Sequence, residues 1–342
     1  MRRRGEGADG PMRRLVFILI GTVIASLVVT VPAAARPKKV CEGVRVPAGT
    51  DLQTLNDGEG RTYCLDAGRY SVPSEVRVDN GDVIKGAGTR KTFIIGTGAR
   101  NMFSADSGAV WAFRKLDISG AVGDVSCAPD CGRAFLATGE QLTLRNVRCH
   151  HNENQCIGSG AADVIMKKSE CDHNGNLEFV SFTNVRSTAC IKRVRGASSS
   201  ITTVIEKSHI HDNIWIGLWF DFYEGAAIVQ GNVITKNGKA GIGWEVSGGF
   251  NAADNIVVRG NRIRENGHAG LHPIGGGVVC NTCADALIES NVFGGNSTDA
   301  VRFVDSGREW GLIRNVIIRK NRLNGDRLSR PAGVTRTAGV GT

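Results

Sequence analysis

Hydrophobic residues in this chain come in short runs that are separated by glycine, asparagine or aspartate. Examples are Val76–Val78, Phe93–Ile95 and Trp111–Ile118. Short segments rich in β-branched and aromatic residues, with turn residues at both ends, are typical of β-strands. Beyond residue 35, no window places its apolar residues at the spacing of an amphipathic helix. The pattern therefore predicts an all-β chain.

From residue 140 onward a segment recurs that closes on asparagine, as in Lys-Ser-Glu-Cys-Asp-His-Asn and Gly-Asn-Val-Ile-Thr-Lys-Asn. The closing residues are Asn152, Asn174, Asn213, Asn237, Asn266 and Asn296, and a partial copy closes at Asn324. A repeat of this period, made of short strands and turns, predicts a solenoid in which each coil buries its apolar face against its neighbours. Asparagine tolerates a left-handed backbone and can hydrogen-bond its counterpart one coil away, so we predict a structural asparagine ladder.

These repeats resemble the coils of right-handed parallel β-helix proteins of the pectate-lyase-like superfamily, over about residues 40–325. The segment Gly-Leu-Trp-Phe-Asp, ending at Asp221, is followed one coil later by Gly-Ile-Gly-Trp-Glu-Val. This pair is similar to segments of a group of secreted bacterial β-helix proteins that carry a lysine on an upstream strand. Ala-Cys-Ile-Lys, ending at Lys192, corresponds to that strand at a longer spacing. The resemblance implies a single-domain right-handed parallel β-helix, but the superfamily contains lyases, hydrolases, epimerases and proteins of no known activity.

The first 35 residues have the features of a secretory signal peptide. Arg13 and Arg14 precede an apolar run, and Ala33-Ala34-Ala35 matches the small-residue cleavage pattern. An uncleaved membrane anchor is the alternative, because the run is close to the shortest that spans a bilayer. We expect a signal peptide at 1–35, the β-helix at 36–325 and a disordered polar tail at 326–342. The protein is expected to be a secreted or cell-surface monomer, with no stable membrane insertion after signal cleavage.

The charge of the chain suggests an acidic partner. Residues 1–35 contain five arginines and two acidic residues, so cleavage lowers the formal net charge from +9 to +6. A basic exported protein suits an acidic extracellular polymer such as a uronate-containing polysaccharide. The export signal argues against a nucleic-acid partner. An even spread of basic residues over a solvated surface is the alternative interpretation.

All ten cysteines follow the signal peptide, and an even number in an exported chain indicates disulfides. We expect the pairs Cys41–Cys64 and Cys149–Cys171 in particular. Cys127 and Cys131 bracket a short loop, and Cys280 and Cys283 form a Cys-x-x-Cys turn. The alternative for the second pair is a tetrahedral zinc site with the ligands Cys149, His151, Cys171 and His173.

Asp221 and Glu245 each lie eight residues after a ladder asparagine. Stacked parallel strands are about 4.8 Å apart, so we expect both carboxyl groups on one wall at a separation that suits retaining glycoside hydrolysis. Like charges this close favour protonation of one group, which would act as a general acid. Two other interpretations remain open: the pair could bind Ca²⁺ with loop oxygens, or each acid could pair structurally with a base such as Lys192.

Strand alternation predicts which side chains share the outer wall with these acids. Counting from each ladder asparagine puts Trp219, Gly243, His272 and Arg302 in one outward row, and Asp221, Glu245, Ile274 and Val304 in the next. The same count places Leu218, Ile242, Leu271 and Val301 inward, and Trp244 also falls on an inward position. Gly217, Gly241 and Gly270 open the strands and allow close stacking.

The combined interpretation is an exported carbohydrate-active protein that acts on an extracellular, acidic polysaccharide. In a hydrolase, Asp221 and Glu245 would be acid/base or nucleophile, and Lys192, Trp219, His272 and Arg302 would position the substrate. In a lyase, Lys192 or His272 would take the proton, and Arg302 or a carboxylate-bound cation would neutralise the uronate. Ca²⁺ is the one cofactor considered, and no residue is assigned as a metal ligand. The alternative is a non-catalytic glycan-binding or cell-surface structural protein.

Overall fold

The computed structural model describes residues 41–123, 127, 130–158, 160–177, 188–194, 201–223, 225–247, 256–267, 275–304, 313–329 and 334–336. The signal peptide expected at 1–35 lies outside them. From Cys41 onward the described residues belong to one compact unit. Within these ranges no helix has the length and apolar character needed to cross a membrane.

The described residues form 28 β-strands and one short 3-10 helix, Leu52–Leu55. The strands are β1 Val44–Val46, β2 Thr62–Leu65, β3 Gly68–Val72, β4 Val76–Val78, β5 Val83–Lys85, β6 Thr92–Gly96, β7 Asn101–Ala105, β8 Val110–Ser119, β9 Arg133–Leu136, β10 Gln141–His150, β11 Gln155–Gly158, β12 Asp163–Lys167, β13 Glu170–Asp172, β14 Ala189–Val194, β15 Thr202–Glu206, β16 His209–His211, β17 Ile216–Asp221, β18 Ala226–Gln230, β19 Val233–Thr235, β20 Ala240–Ser247, β21 Ile256–Arg259, β22 Arg262–Arg264, β23 Gly276–Glu289, β24 Val292–Gly294, β25 Asp299–Val304, β26 Arg314–Arg319, β27 Arg327–Leu328 and β28 Val334–Arg336.

Each coil contributes strands to three parallel sheets that run along the solenoid. Sheet 1 consists of β1, β2, β5, the first half of β8, the first half of β10, β12, β15, β18, β21, the second half of β23, β26 and β28. Sheet 2 consists of β3, β6, the second halves of β8 and β10, β13, β16, β19, β22 and β24. Sheet 3 consists of β4, β7, β9, β11, β14, β17, β20, the first half of β23, β25 and β27. The predicted all-β parallel solenoid is confirmed.

Alternate residues of each strand point into the coil and stack in register with those of the next coil. In sheet 3 one such buried column consists of Leu218, Ile242, Val278 and Val301. The predicted column had Leu271 in the third place, and that prediction is wrong. The reason is that β23 begins only at Gly276, so a fixed count from Asn266 stops short of the strand. Leu271 itself lies outside the described residues.

The predicted asparagine ladder is present at the turn between sheets 2 and 3. Each side-chain amide donates a hydrogen bond of 2.8–3.1 Å to the Oδ1 atom of the next asparagine, in the order Asn152, Asn174, Asn213, Asn237, Asn266 and Asn296. The last rung is Asp326, whose Oδ2 atom accepts from Asn296 at 2.6 Å. The predicted last rung, Asn324, donates instead to the carbonyl of Phe293.

A second ladder, which the repeat pattern did not reveal, lies at the turn between sheets 1 and 2. It consists of Asn232, Asn261, Asn291 and Asn321, joined by amide hydrogen bonds of 3.0 Å. These asparagines are all 1% exposed. Two buried ladders therefore satisfy the backbone groups at two of the three corners of the later coils.

Five disulfides pair all ten cysteines: Cys41–Cys64, Cys127–Cys131, Cys149–Cys156, Cys171–Cys190 and Cys280–Cys283. The prediction of Cys41–Cys64 is confirmed, whereas that of Cys149–Cys171 is wrong. Cys149 and Cys171 are register neighbours in sheet 2, but each is bonded across the turn to a cysteine of sheet 3 in its own coil. Because both sulfurs are oxidised, the alternative zinc site on Cys149, His151, Cys171 and His173 is also wrong.

Two short strands lie within residues 326–342, where the sequence suggests a polar tail. β27 pairs with β25 in sheet 3, and β28 pairs with β26 in sheet 1. They extend the solenoid stacking beyond residue 325.

Candidate functional site

The two acidic residues singled out from the sequence lie side by side on sheet 3. Asp221 at the end of β17 is the register partner of Glu245 in β20, and Glu245 is the partner of Asn281 in β23. Register partners in parallel strands point to the same side of the sheet, and all three side chains are partly exposed. Asp221, Glu245 and Asn281, which we call the acid row, thus form a line of oxygen-bearing groups on the outer wall.

Lys192 of β14 reaches the acid row from the preceding strand. Its Nζ atom lies 3.2 Å from Asp221 Oδ2 and 3.6 Å from the centroid of the Trp219 ring. The side chain of Lys192 is 11% exposed and that of Asp221 is 15% exposed. Burial lowers the pKa of Lys192, and the charge of Arg133 lowers it further, while Asp221 and Glu245 oppose the change. The ammonium group is therefore held between a carboxylate and the face of an indole ring.

Trp219 belongs to an apolar cluster on the outside of sheet 3. The cluster also contains Ala189, Trp215, Ile216, Ala240 and Val279. Trp219 is 5% exposed, so packing and the Lys192 cation occupy most of its surface. Trp244 is buried in the main core, as its inward position predicts. The indole of Trp219 therefore fixes the position of Lys192.

The outward row of side chains that contains Lys192 differs from the predicted row at one position, the one predicted for His272. It runs Lys192, Trp219, Gly243, Val279 and Arg302. Val279 takes the place predicted for His272, because the late start of β23 shifts the register. His272 lies outside the described residues. Arg302 lies in β25, two strands from Glu245, which corresponds to about 10 Å between backbones.

Arg133 is a further cation near this wall that sequence reasoning missed. Its side chain is 7% exposed and forms an ion pair of 3.1 Å with Asp130. It passes over Gly158, where an added Cβ atom would lie only 2.2 Å from the Arg133 Cδ atom. Burial lowers the pKa of Arg133. No local motif marks this arginine, because its path depends on a glycine one coil away.

The sequence pattern also does not single out Asn281, because this residue lies inside the Cys-x-x-Cys turn, a motif that indicates a disulfide. The Cys280–Cys283 bond closes that turn, and Thr282 adopts a left-handed backbone with φ of 61°. Among the described residues, the Oδ1 atom of Asn281 is buried with no hydrogen-bond partner. A buried amide oxygen without a partner is rare in folded proteins.

A calcium ion on the acid row would take oxygen ligands from Asp221, Glu245 and Asn281, and Ca²⁺ takes six to eight in all. Residues 178–187 and 195–200, in the loop expected to supply further oxygens, lie outside the described residues. Lys192 Nζ lies 3.2 Å from Asp221 Oδ2 and would compete with such an ion. The calcium alternative stays a prediction.

A groove of about 900 Å³ runs along the turn between sheets 2 and 3. Its lining includes Leu177, Asp212, Lys236 and Glu265. The groove lies at the start of the sheet 3 strands, whereas Asp221 and Glu245 lie towards their ends. The two features are therefore separate.

The residues 196–317 match a family model described as a right handed beta helix region. No curated protein matches the chain.

Solved structures share the fold over most of the chain. The catalytic unit of a GH87 α-1,3-glucanase from Streptomyces thermodiastaticus is 16% identical with a TM-score of 0.58, over 85% of this chain and 60% of that one. Pectate lyase Pel9A is 14% identical with a TM-score of 0.54, over 81% and 70%. The surface adhesin PfbA of Streptococcus pneumoniae is 12% identical with a TM-score of 0.56, over 83% and 75%. This chain is thus a right-handed parallel β-helix protein that shares its fold with pectate lyase.

Proposed function

We propose that this protein is an exported enzyme that cleaves an acidic extracellular polysaccharide on the outer wall of sheet 3. Asp221, Glu245 and Lys192 are the reacting groups. The observation that carries the proposal is the Lys192–Asp221 contact of 3.2 Å beside Glu245 on the next strand. A base and two carboxyl groups are then within reach of one sugar unit.

A polysaccharide as the substrate is supported by relatives of the same fold. One is named a pectate lyase and another an α-1,3-glucanase, while PfbA is described as a surface adhesin. The basic net charge favours an acidic polymer. Five disulfides and the signal-like N-terminal sequence support secretion or display at the cell surface.

Elimination from a uronate unit is the reaction that Lys192 supports best. The neutral amine takes the proton from C5, the electron pair forms the C4–C5 double bond, and the C4–O glycosidic bond breaks. The leaving oxygen then receives a proton from Glu245 or from water. Because burial lowers the pKa of Lys192, its amine is more often neutral than that of an exposed lysine. Arg302, which is partly exposed, attracts uronate carboxylates to the wall.

Hydrolysis is the second candidate reaction, and the register of Asp221 with Glu245 favours it. Adjacent strands about 4.8 Å apart bring carboxyl groups close to the separation found in retaining glycosidases. Asp221, in contact with Lys192, would attack the anomeric carbon while Glu245 protonates the leaving oxygen. Glu245 would then activate the water that releases the sugar.

Glycan binding without catalysis is the third candidate. It is favoured by the same ion pair, because a carboxylate engaged by Lys192 serves structure as well as chemistry. In that case the Asp221–Lys192 pair would hold β14 and β17 together, and the wall would only bind the polymer.

The test is incubation of the mature chain, residues 36–342, with polygalacturonate, alginate and an α-1,3-glucan. Products that absorb in the ultraviolet identify elimination, and new reducing ends without that absorbance identify hydrolysis. Retention on immobilised polymer without products identifies a binding protein. Asp106→Asn is a matched control, because it disrupts an exposed pair with Arg77 on the same sheet. Absence of products and of retention on every polymer would contradict the proposal.

A further inference from the structure

A cluster of histidines and acids lies on the outside of sheet 2, away from the acid row. Glu170 of β13 is the register partner of His209 in β16, and Asp172 is the partner of His211. Glu170, His209 and His211 each offer one ligand atom, and these three atoms lie within 4.8 Å of one another. They therefore form a compact set of two imidazoles and one carboxylate.

His211 is held between two carboxylates, one at each ring nitrogen. Its Nδ1 atom lies 2.6 Å from Asp212 Oδ2, and its Nε2 atom lies 3.1 Å from Glu170 Oε1. A neutral imidazole carries a hydrogen on only one of its two nitrogens. With Nδ1–H donated to Asp212, Nε2 is the nitrogen that a metal ion between His211 and Glu170 would bind.

This arrangement is typical of metal-binding histidines. Such a histidine usually donates its second ring N–H to a carboxylate, which fixes the ring and makes the other nitrogen a better ligand. Asp212 is in position for that role. The ring of His209 is stacked on that of His211 within 28°, with centroids 3.8 Å apart, so a second imidazole is close by and would have to turn for both rings to bind one ion.

We propose that Glu170, His209 and His211 bind one divalent transition-metal ion of the zinc type, and that Asp212 orients His211. Two imidazoles and a carboxylate form a ligand set that zinc accepts, with water in the fourth position. Tetrahedral zinc with bonds of about 2.0 Å needs ligand atoms about 3.3 Å apart. The ligand atoms now lie within 4.8 Å of one another, so zinc binding would require rotation of the Glu170 side chain, which is 42% exposed, and of the His209 ring.

The ion would join neighbouring coils at the widest spacing in the asparagine ladder. The amide of Asn174 donates to Asn213, 39 residues further along, whereas the other rungs are separated by 22 to 30 residues. Glu170 and His209 lie at the two ends of that long coil. Metal binding would therefore stabilise the pairing of β13 with β16, independently of any reaction at the acid row.

The experiment uses tag-free mature protein, stripped with EDTA and titrated calorimetrically with zinc chloride. We expect one zinc ion per chain and a rise in the unfolding temperature on zinc addition. His211→Asn and Glu170→Gln should each weaken zinc binding at least tenfold. Asp212→Asn should weaken it about tenfold, because the ligand nitrogen is no longer oriented.

His150→Asn is the matched control, because His150 is another histidine of sheet 2 that faces a carboxylate, that of Asp117 at 2.8 Å. The His150→Asn variant should bind zinc like the unmodified protein. The Asp221→Asn variant should do the same, which would show that the zinc site is independent of the proposed enzymatic site. His209→Asn provides a second ligand variant if His211→Asn folds poorly. No binding at micromolar zinc, or binding that survives both His209→Asn and Glu170→Gln, would overturn the proposal.

Discussion

Lys192 Nζ lies 3.2 Å from Asp221 Oδ2 across the strand pair β14–β17. The register partner of Asp221 is Val194, so Lys192 is two residues upstream of that partner and on the same face of the sheet. The ion pair is therefore diagonal across β14 and β17, and Glu245 lies beside Asp221 on the next strand, β20. This geometry joins the base and the acid row into one unit.

Replacement of the three proposed reacting groups should abolish activity without unfolding the protein. We expect Asp221→Asn and Glu245→Gln to lower kcat/KM by about 10²–10⁴-fold, which is the usual contribution of acid–base groups. Lys192→Arg retains the positive charge beside Asp221 but removes the base, so elimination should be lost and hydrolysis retained. The measurements are kcat/KM on the identified polymer and the unfolding temperature of each variant.

The result for a structural pair would be the reverse. If Asp221→Asn lowers the unfolding temperature by several degrees while kcat/KM is unchanged, the acid row is a structural feature.

The pH dependence should identify Lys192 as the base in an elimination. Burial lowers its pKa below the ordinary lysine value of about 10.4. The amine is mainly neutral above its pKa, so kcat/KM should rise with pH and reach its plateau at a lower pH than an exposed lysine would give. A profile of kcat/KM against pH tests this, with thermal unfolding at each pH as the stability control. Activity that falls as the pH rises would point to a protonated acid and hence to hydrolysis.

Removal of one ladder asparagine should destabilise the solenoid. Asn237 accepts from Asn213 at 2.9 Å and donates to Asn266 at 3.0 Å, and it is fully buried. Asn237→Ala leaves buried amide groups without partners on two coils, each at a cost of about 1–3 kcal/mol. We expect the free energy of unfolding, measured in urea, to fall by about 3 kcal/mol. Asn315→Gly, at an exposed left-handed position, is the control and should change it little.

The fold could be predicted from the sequence because the ladder asparagines recur in a readable pattern. The second ladder was missed because Asn232, Asn261 and Asn291 precede short apolar strands and look like ordinary turn residues. The predicted register was wrong after Gly267, because more residues precede the start of β23 than the repeat pattern predicts. Val279 and Asn281 therefore occupy the positions predicted for His272 and Ile274. The prediction of a Cys149–Cys171 disulfide was wrong because these two cysteines are register neighbours in stacked coils. Sequence spacing alone could not distinguish that pair from the true pairs with Cys156 and Cys190.

The glycines that open the sheet 3 strands should resist substitution. A Cβ atom on Gly241 would lie 2.8 Å from the carbonyl oxygen of Gly277 and 3.0 Å from Asn266 Nδ2. Asn266 is fixed by the ladder and Gly277 by its place in β23, so Gly241→Ala should lower the free energy of unfolding by about 1–3 kcal/mol through overpacking. The control is Gly260→Asn, since Gly260 has a left-handed backbone and open space around it. If Gly260→Asn lowers the free energy of unfolding as much as Gly241→Ala does, backbone strain explains the effect and crowding does not.

Acid should weaken the pairing of the last coils through Glu289. Its carboxylate lies 2.6 Å from Arg259 Nε and 2.8 Å from Arg319 Nε, and these three residues are in register on β21, β23 and β26. The hydrogen bond from Arg319 is the largest cause that lowers the pKa of Glu289; burial opposes it, and Arg259 adds to it.

A lowered pKa in the folded state means that the unfolded chain binds the proton first as the pH falls. The stabilisation is therefore complete above the ordinary glutamate value of about 4.3 and is lost as the pH falls through the lower value in the folded protein. Both arginines are about half exposed, so solvent limits the contribution to about 1 kcal/mol. Glu289→Gln should lower the urea midpoint of unfolding at pH 7. Between pH 7 and about pH 3, that midpoint should then fall less in the variant than in the unmodified protein. Glu140→Gln, at an exposed position, serves as the control. If the loss between the two pH values is the same with and without Glu289, the arginine pairs do not contribute to acid sensitivity.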